Sequence, residues 1–285
     1  MLTRATKANL SPIFSLFDDP GNEAWRALDP ATSEPPWGEA TDDDGTVNRL
    51  WRVDDETAIE SVKRALGNTE LLIADGHHRY ETARVYAEEV GGEGPHRYVL
   101  MCLVALQDSG LTVFPTHRLV RGLSSDQHEL LANKIREDFE PEPLPETSGL
   151  VPVANEHVRI GYIDAHFRKP FMLTLKDQSI ADAALAGHAE PYRRLDTAVL
   201  EALILKGTLR MSDEDIDHLT GLGYARDANH AIELIERHEY DAAFFMAPTP
   251  VERVQAVARS GESMPPKSTY FFPKVPTGLL FNPLQ

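Results

Sequence analysis

The N-terminal part of the chain alternates short apolar runs with segments of helical spacing. An amphipathic helix is predicted between an acidic start at residues 54–56 and a stop at Gly67 by three apolar residues at helical spacing, Ile59, Val62 and Leu66. Residues 70–74 then form an apolar run that is typical of a buried strand. Because Asp75 and Gly76 lead directly into a helix-compatible segment, the pattern predicts a strand, a glycine turn and a helix in immediate succession.

Two further apolar runs follow this helix, and an irregular stretch precedes residue 54. Residues 98–106 and 111–114 are typical of strands, and the turn residues between them predict a hairpin. Residues 18–48 are polar and rich in proline, so we expect a connection with at most one short helix there.

The pattern changes after residue 122, where we place a boundary between a region 1–122 and a region 123–285. Ser124 and Gln127 form a capping box that starts a helix, and a run of prolines after residue 140 ends it. Further elements are predicted as strands at 158–163, 171–175 and 241–246, and as helices at 195–204, after Ser212, after Asp227 and at 250–261. The sequence therefore predicts an α+β fold with mixed short-stranded sheets and flanking helices.

The chain is strongly acidic and contains one cysteine. Its 28 Lys and Arg against 45 Asp and Glu give a formal charge of −17, which excludes a general electrostatic attraction to nucleic acid or anionic lipid. Cys102 lies in an apolar run, so no intrachain disulfide can form and we expect a buried thiol. No apolar stretch is long enough to cross a bilayer, and no signal-peptide pattern follows Met1. These features predict a cytoplasmic protein with no membrane partner.

The segment Asp75–Glu81 carries the densest chemistry. A glycine between a strand and a helix lets the backbone approach a ligand, and the helix start offers unpaired N–H groups and the positive end of its dipole. His77, His78 and Arg79 add donors at this point, and a guanidinium can make bidentate contacts to phosphate oxygens. In a chain of net charge −17, this cationic cluster predicts a phosphate or nucleotide site.

Two other interpretations of the segment stay open. Adjacent histidines point in different directions on a helix, so a metal site would need a distant ligand such as His117. In a purely structural role, Asp75 would cap the helix and Arg79 would pair with one of the many acids of the chain.

Two further clusters contain side chains that suit an anion. The first consists of Thr116, His117 and Arg118, and the second of Lys267, Ser268 and Thr269. Pro265 and Pro266 stiffen the second loop, and the aromatic residues 270–272 can anchor it. Each cluster is either a binding loop or an ordinary loop. The sequence contains no motif of P-loop, zincin, hydrolase-elbow or zinc-ribbon proteins.

Four blocks of the sequence resemble the domain of unknown function 1015 family, and they comprise residues 4–14, 73–83, 115–119 and 264–274. The Gly76–Arg79 element also resembles the phosphate-binding box shared by the chromosome-partitioning ParB proteins, sulfiredoxin and a free-serine kinase. The resemblance implies a ParB/sulfiredoxin-like nucleotide-binding core in residues 1–122 and a second α+β region in residues 123–285 that returns to the site.

Carried over residue by residue, the resemblance implies that Gly76–Arg79 holds the phosphates of a nucleoside triphosphate or diphosphate. Asp75 and Glu81 are then candidates to hold Mg²⁺ or to orient an acceptor, and they form the catalytic candidates together with Arg79. The clusters Thr116–Arg118 and Lys267–Thr269 would complete the nucleotide site.

The resemblance also concerns the start of the chain. Family members usually have an additional strand-rich region before the block that begins here at Arg4. Relative to these members, the resemblance implies that this sequence starts late at Met1. Because the strand expected at residues 10–14 would then lack sheet partners, we expect an exposed strand edge and a homo-oligomer.

Two classes of function follow from these expectations. The first is a magnesium-dependent phosphotransferase or nucleotide hydrolase, that is, a kinase or a nucleoside triphosphatase. The second is a non-catalytic ParB-like binding or scaffolding protein that is gated by a nucleotide. In both classes the partner is a small-molecule nucleotide. Direct nucleic-acid binding is disfavoured, because the candidate helices at 196–205, 213–220 and 228–237 carry more acids than Lys or Arg.

A last expectation concerns the C-terminal block. We expect Met264–Lys274 to fold back beside the Gly76 turn, so that Lys267 and Arg79 contact one triphosphate-sized ligand.

Overall fold

The computed structural model describes residues 2–42 and 45–285, and expectations that concern Met1, Asp43 and Asp44 lie outside these residues. The chain forms two compact units. Unit 1 consists of Met1–Thr112 and Pro273–Gln285, and unit 2 consists of Val113–Phe272. The first change of unit falls before the strand at 117–120, which belongs to the sheet of unit 2, whereas the boundary expected at residue 122 follows this strand.

The helices of the described residues are mostly short. They are α1 (Leu2–Thr6), α2 (Glu23–Leu28), α3 (Glu56–Leu66), α4 (His77–Val90), α5 (Ser125–Asp138), α6 (Gln178–Ala184), α7 (Glu190–Arg193), α8 (Asp196–Leu200), α9 (Asp213–His218), α10 (Ala228–Glu236) and α11 (Val251–Arg259). Helix α8 continues as a π-helical segment, Glu201–Lys206.

The strands of the described residues are also short. They are β1 (Ala8–Asn9), β2 (Ile13–Phe17), β3 (Gly38–Thr41), β4 (Val47–Leu50), β5 (Leu72–Asp75), β6 (Met101–Ala105), β7 (Thr112–Phe114), β8 (His117–Val120), β9 (Phe139–Pro143), β10 (Arg159–Asp164), β11 (Phe171–Leu175), β12 (Leu222–Ala225), β13 (Ala242–Phe245), β14 (Tyr270–Phe272) and β15 (Asn282–Pro283). This mixture of short sheets and flanking helices confirms the predicted α+β class.

A three-stranded sheet forms the core of unit 1. Its middle strand is β2, which pairs antiparallel with β5 and parallel with β6. All five residues of β2 are buried, and the strand has a neighbour on both sides, so it does not form the exposed edge that was expected at residues 10–14. The predicted hairpin of residues 98–106 and 111–114 is therefore wrong, since β6 pairs with β2 and β7 pairs with β14. Cys102 on β6 is half-buried, and burial raises the pKa of its thiol.

Residues 18–48 contain more structure than their composition indicates. The expected short helix is present as α2, but the stretch also holds β3, which forms an antiparallel hairpin with β4. No apolar run marks these strands, because their residues alternate between exposed and half-buried positions. Arg49 Nε lies 2.7 Å from Glu39 Oε2 on the opposite strand, so a cross-strand pair of opposite charges accompanies this pairing.

Residues 273–285 return to unit 1 and close it. Strand β15 pairs antiparallel with β1. Beside this pairing, Asn282 Nδ2 donates to Asn9 Oδ1 at 3.0 Å, and the hydroxyls of Ser11 and Thr277 lie 3.1 Å apart. The two segments of unit 1 are thus joined next to the start of β2.

Unit 2 is organised around a six-stranded antiparallel sheet. The strand order is β12-β8-β13-β10-β11-β9. Because side chains alternate along a strand, Phe244 of β13 packs in the cluster that includes α5 and α8, whereas Ala243 and Phe245 pack in the cluster that includes α10. Helices therefore cover both faces of the sheet.

The elements that frame this sheet begin and end as their sequences predict. Ser124 and Gln127 form the expected capping box at α5. The strands predicted at 158–163 and 171–175 are present as β10 and β11, which pair antiparallel with each other. The edge strand β9 contains Pro141 and Pro143, which have no N–H group to donate. Within residues 2–42 and 45–285, none of the helices is both long and apolar enough to span a bilayer.

Candidate functional site

The strand, glycine turn and helix predicted around Gly76 are present in unit 1. Strand β5 ends at Asp75, Gly76 adopts a left-handed conformation with φ of 99°, and α4 begins at His77. A Cβ atom at position 76 would lie 2.8 Å from Arg79 Nη2. The backbone conformation therefore favours glycine here, and a Cβ atom would also displace the Arg79 guanidinium.

The first turn of α4 is suited to an anion. No side chain of the described residues caps this helix, and its first turn contains no acidic residue. The N–H groups of Arg79 and Tyr80 both donate to the Gly76 carbonyl, at 2.9 and 3.0 Å. The N–H groups ahead of them point out of the helix start, where the positive end of the dipole lies.

Arg79 lies against the chain segment that precedes β2. Its Nη1 donates to Ser11 Oγ and to the Pro12 carbonyl. Its Nη2 lies 3.3 Å from Oδ2 of Asp75, the last residue of β5. The guanidinium thus links α4, the end of β5 and the start of β2, and this geometry agrees with the structural role that the sequence left open.

A second cation reaches Asp75 from the C-terminal segment. Lys274 Nζ lies 3.6 Å from Asp75 Oδ2, and both side chains are partly exposed. Sequence reasoning missed this residue among the site candidates, although it is the last residue of the C-terminal block. The signal available was the block itself, since its proline and aromatic residues indicated an ordered segment that carries a lysine at its end.

The other candidates on α4 differ in their surroundings. His77 and His78 are exposed in the first turn. Glu81 is also exposed, and its Oε2 lies 3.0 Å from Arg84 Nη2. Glu81 is therefore engaged in an ion pair on the surface of the helix.

Asp75 is the acidic residue at the turn itself. The described residues contain no group of three or more His, Cys, Asp or Glu side chains that could hold a metal ion. Mg²⁺ commonly binds only one or two carboxylates and takes its other ligands from phosphates and water. Asp75 fits such a role through Oδ1, because both cations contact Oδ2.

The cluster Thr116–Arg118 lies within the core of unit 2. His117 Nδ1 accepts a hydrogen bond from the Met246 N–H at 3.2 Å. Burial, together with the charge of Arg118, lowers the pKa of His117 to about 4, so its imidazole is neutral. Burial also lowers the pKa of Arg118 to about 10, and Arg118 donates to the carbonyls of Thr116 and Pro266.

The cluster Lys267–Thr269 also belongs to unit 2. Lys267 is exposed, whereas Ser268 is buried and its hydroxyl donates to the Pro265 carbonyl at 2.7 Å. Lys267 Nζ lies 5.0 Å from the centre of the Tyr224 ring, and Arg118 Cζ lies 5.3 Å from the same centre. The structure thus brings the two clusters of unit 2 together at Tyr224.

The sequence of the chain matches one family model. The model is described as a protein of unknown function (DUF1015), and it matches residues 1–198. The chain belongs to this family. In this DUF1015 member the match includes Asp75–Glu81 and Thr116–Arg118, while Lys267–Thr269 and Lys274 lie beyond it. Among curated proteins, none matches the chain.

The comparison with solved structures found matches of low similarity. A conserved hypothetical protein from Pyrococcus furiosus is 14% identical with a TM-score of 0.44, and the alignment covers 97% of this chain and 82% of that chain. A free serine kinase in complex with AMP is 15% identical with a TM-score of 0.46, covering 100% and 81%. A mutant free serine kinase in complex with ADP is 14% identical with a TM-score of 0.45, covering 100% and 81%. Similarity at this level does not assign a function to the chain.

Proposed function

We propose that the chain binds the phosphate groups of a nucleotide at the N-terminus of α4. The observation that carries this proposal is the turn at Gly76, where an uncapped helix start lies beside the Arg79 guanidinium and the Lys274 ammonium. The first-turn N–H groups can donate to phosphate oxygens, and the dipole and the two cations favour negative charge. The likeness of Gly76–Arg79 to the ParB/sulfiredoxin box is part of this proposal.

The side chains around the Gly76 turn would have different roles in binding the phosphates. His77 and His78 are exposed, and an imidazole can donate a hydrogen bond in either protonation state. Arg79 already donates to Ser11 and Pro12, so it contributes positive charge and holds the turn in place. Lys274 contributes a point charge beside Asp75.

We further propose that the nucleotide is a triphosphate or diphosphate used with Mg²⁺ in phosphoryl transfer or hydrolysis. The metal would neutralise charge on the phosphates, and Asp75 is the residue that would hold it. Arg79 and Lys274 fix the position of the Asp75 carboxylate. Phosphoryl transfer depends mainly on positioning and charge stabilisation, so the site would need no covalent nucleophile.

A non-catalytic, nucleotide-gated binding or scaffolding function is the second candidate. The pairing of Glu81 with Arg84 favours it, because this pairing engages the second carboxylate that was expected to orient an acceptor. In this function, phosphate binding would order the first turn of α4 and change the surface presented to a partner.

Calorimetry with ATP, ADP, CTP and GTP, each with and without Mg²⁺, tests the shared part of both functions. We expect saturable binding of at least one nucleotide and a loss of about tenfold in affinity in the double variant His77→Ala/His78→Ala. Lys63→Gln is a matched control, because it removes an exposed cation from α3 in the same unit. Unchanged affinity in a folded double variant, or binding of none of the four nucleotides, contradicts the proposal.

Product analysis separates the two functions. Incubation of the chain with each nucleotide and Mg²⁺, followed by chromatography, should show a shortened nucleotide if the chain is an enzyme. Saturable binding without product would favour the gated binding protein.

A further inference from the structure

Two neighbouring cavities lie in unit 2 and are not part of the α4 site. The first has a volume of about 550 Å³ and lies between α5 and the strands β9, β10 and β11. The second has a volume of about 420 Å³ and lies beside the turn that follows β10. His128 and His166 line both cavities, which therefore adjoin at these two side chains. One ligand placed beside the two histidines can extend into both cavities.

The first cavity is built for a flat apolar group. Its size falls in the range of pockets that bind small molecules. Three aromatic side chains line it, Tyr162, Phe167 and Phe171. Phe167 is 69% exposed, which leaves a large apolar surface in water. A ring inserted in this cavity would cover part of that surface.

The second cavity is built for an anion. Four of its lining residues carry nitrogen donors, namely His128, His166, Arg168 and His238. Arg168 Nη2 contacts His238 Nε2 at 2.5 Å, and Arg168 Nε donates to the Ala165 carbonyl at 3.4 Å. These contacts hold the guanidinium at the cavity before any ligand binds. The one acid in the lining, Asp241, already accepts a hydrogen bond from the Leu123 N–H at 2.9 Å.

The turn after β10 places the two kinds of side chain next to each other. The buried Asp164 accepts hydrogen bonds from the N–H groups of His166 and Phe167, at 2.9 and 2.7 Å. The turn then continues through Arg168 with a positive φ of 52°. Consecutive residues therefore contribute an imidazole, an aromatic ring and a guanidinium to adjoining cavities.

We infer that these two cavities together bind a small aryl phosphate, with the ring in the first cavity and the phosphate in the second. A phosphate is favoured over a carboxylate because three terminal oxygens can accept from several converging donors. The cluster of basic residues stands out in a chain of net charge −17. This site is independent of the nucleotide site proposed at α4.

Phenyl phosphate is the probe for this site. Inorganic phosphate and phenol, which represent its two parts, are measured for comparison. We expect saturable binding of phenyl phosphate at millimolar concentration by calorimetry, with weaker binding of either half. In two-dimensional NMR of the imidazole groups, the probe should shift the signals of His128, His166 and His238. Arg168→Gln should weaken binding about tenfold, and Phe167→Ala should weaken it severalfold.

Two matched variants control for the substitutions. Arg210→Gln also replaces an exposed arginine of unit 2 with positive φ, here 61°, and Arg210 does not line either cavity. Leu130→Ala removes an exposed apolar side chain from α5, the helix that carries His128. Both variants should bind phenyl phosphate as the unmodified chain does.

Three results would overturn the inference. They are no saturable binding of phenyl phosphate, equally tight binding of inorganic phosphate, and unchanged affinity in folded Arg168→Gln. The nucleotide site is tested separately, because the His77→Ala/His78→Ala variant leaves both cavities of unit 2 intact.

Discussion

The Lys274 ammonium lies 3.6 Å from the Asp75 carboxylate, which ends strand β5 at the Gly76 turn. Arg79 contacts the same carboxylate oxygen, so one acid holds two cations beside the start of α4. The side chains of Asp75 and Lys274 are 47% and 40% exposed, and an ion pair in such a position adds little stability. We therefore expect the Asp75–Lys274 pair to affect nucleotide binding more than the stability of the fold.

Lys274→Gln should separate binding from stability. We expect nucleotide affinity to fall several fold, because a phosphate at the helix start loses a nearby positive charge. The free energy of unfolding should change by less than about 1 kcal/mol. Calorimetry and urea denaturation measure the two quantities. A large loss of stability with unchanged affinity would assign Lys274 a structural role instead.

Arg79→Ala should lower both the free energy of unfolding and the nucleotide affinity. It removes the hydrogen bonds to Ser11 and Pro12 and the contact with Asp75, so we expect a loss of about 1–2 kcal/mol in the free energy of unfolding. Nucleotide affinity should fall about tenfold or more.

The control for this prediction is Arg64→Ala, which removes an exposed arginine from α3 in the same unit. It should change neither quantity appreciably. Nucleotide affinity that persists unchanged in folded Arg79→Ala would refute a role for the guanidinium at the site.

Gly76→Ala should be more harmful than a comparable substitution elsewhere. At position 76 the new methyl group meets the Arg79 guanidinium in addition to an unfavourable φ of 99°. Gly91, at the other end of α4, also has positive φ, of 66°, but open space around it. The two glycines differ in ψ, which is 23° at Gly76 and 173° at Gly91, so Gly91→Ala serves as a control for nucleotide binding and not for the size of the stability loss. We expect Gly76→Ala to lower the free energy of unfolding by about 1–3 kcal/mol and to weaken nucleotide binding, which Gly91→Ala should leave unchanged. Unchanged affinity in folded Gly76→Ala would show that Arg79 moves aside without effect.

The imidazole of His117 should make stability depend on pH. Its pKa is 6.5 in the unfolded chain and is lowered by burial to about 4 in the folded chain. Between these values the unfolded state binds the proton more readily, so this contribution to the free energy of unfolding falls as the pH falls through the window, by at most about 3 kcal/mol.

Asp196 acts in the opposite direction. Burial raises its pKa from 3.8 to about 7, so its protonated form favours the folded state and this contribution is lost as the pH rises through that range.

Comparison with His117→Asn, which keeps an acceptor for the Met246 N–H, isolates the contribution of the histidine to the pH dependence of stability. We expect the unmodified chain to lose stability relative to His117→Asn between pH 7 and pH 4.5. Parallel curves of unfolding free energy against pH for the two chains would contradict the lowered pKa of His117. His157→Asn replaces an exposed histidine and is the control, for which we expect parallel curves.

The shared ligand of Arg79 and Lys267 stays a prediction. If both side chains contact one nucleotide, Arg79→Ala and Lys267→Ala should not be additive in their effects on affinity. A double-mutant cycle measured by calorimetry gives this coupling. Additive effects would place Lys267 at a different site, beside Tyr224 and Arg118.

Local signals in the sequence were sufficient for much of the fold. The cap at Ser124, the stop of α3 and the Gly76 turn depend on residues close together in the chain, and the structure has all three. The parallel pairing of β2 with β6 was not predicted, because it joins segments that have no turn between them to indicate pairing. The hairpin of β3 and β4 was missed because its strands lack an apolar run.

The same distinction applies to the candidate site. His77 and His78 could be placed at a helix start from their neighbours alone. The contacts of Arg79 with Ser11 and of Asp75 with Lys274 depend on how distant segments pack, so sequence spacing carries no information about them. For Arg118 and Ser268, residue type indicated a polar loop, whereas the structure buries both side chains and directs their donors to carbonyl groups of the chain.

The division of unit 1 into two segments has a consequence for the order of folding during synthesis. All of unit 2 leaves the ribosome before Pro273–Gln285, so its six-stranded sheet can form first. The pairing of β1 with β15 then closes a very long loop, and long-range pairing is a slow kind of step. Lys274 arrives at Asp75 with this segment, so a nascent chain would acquire the complete charge arrangement at the Gly76 turn only after unit 2 has been synthesised.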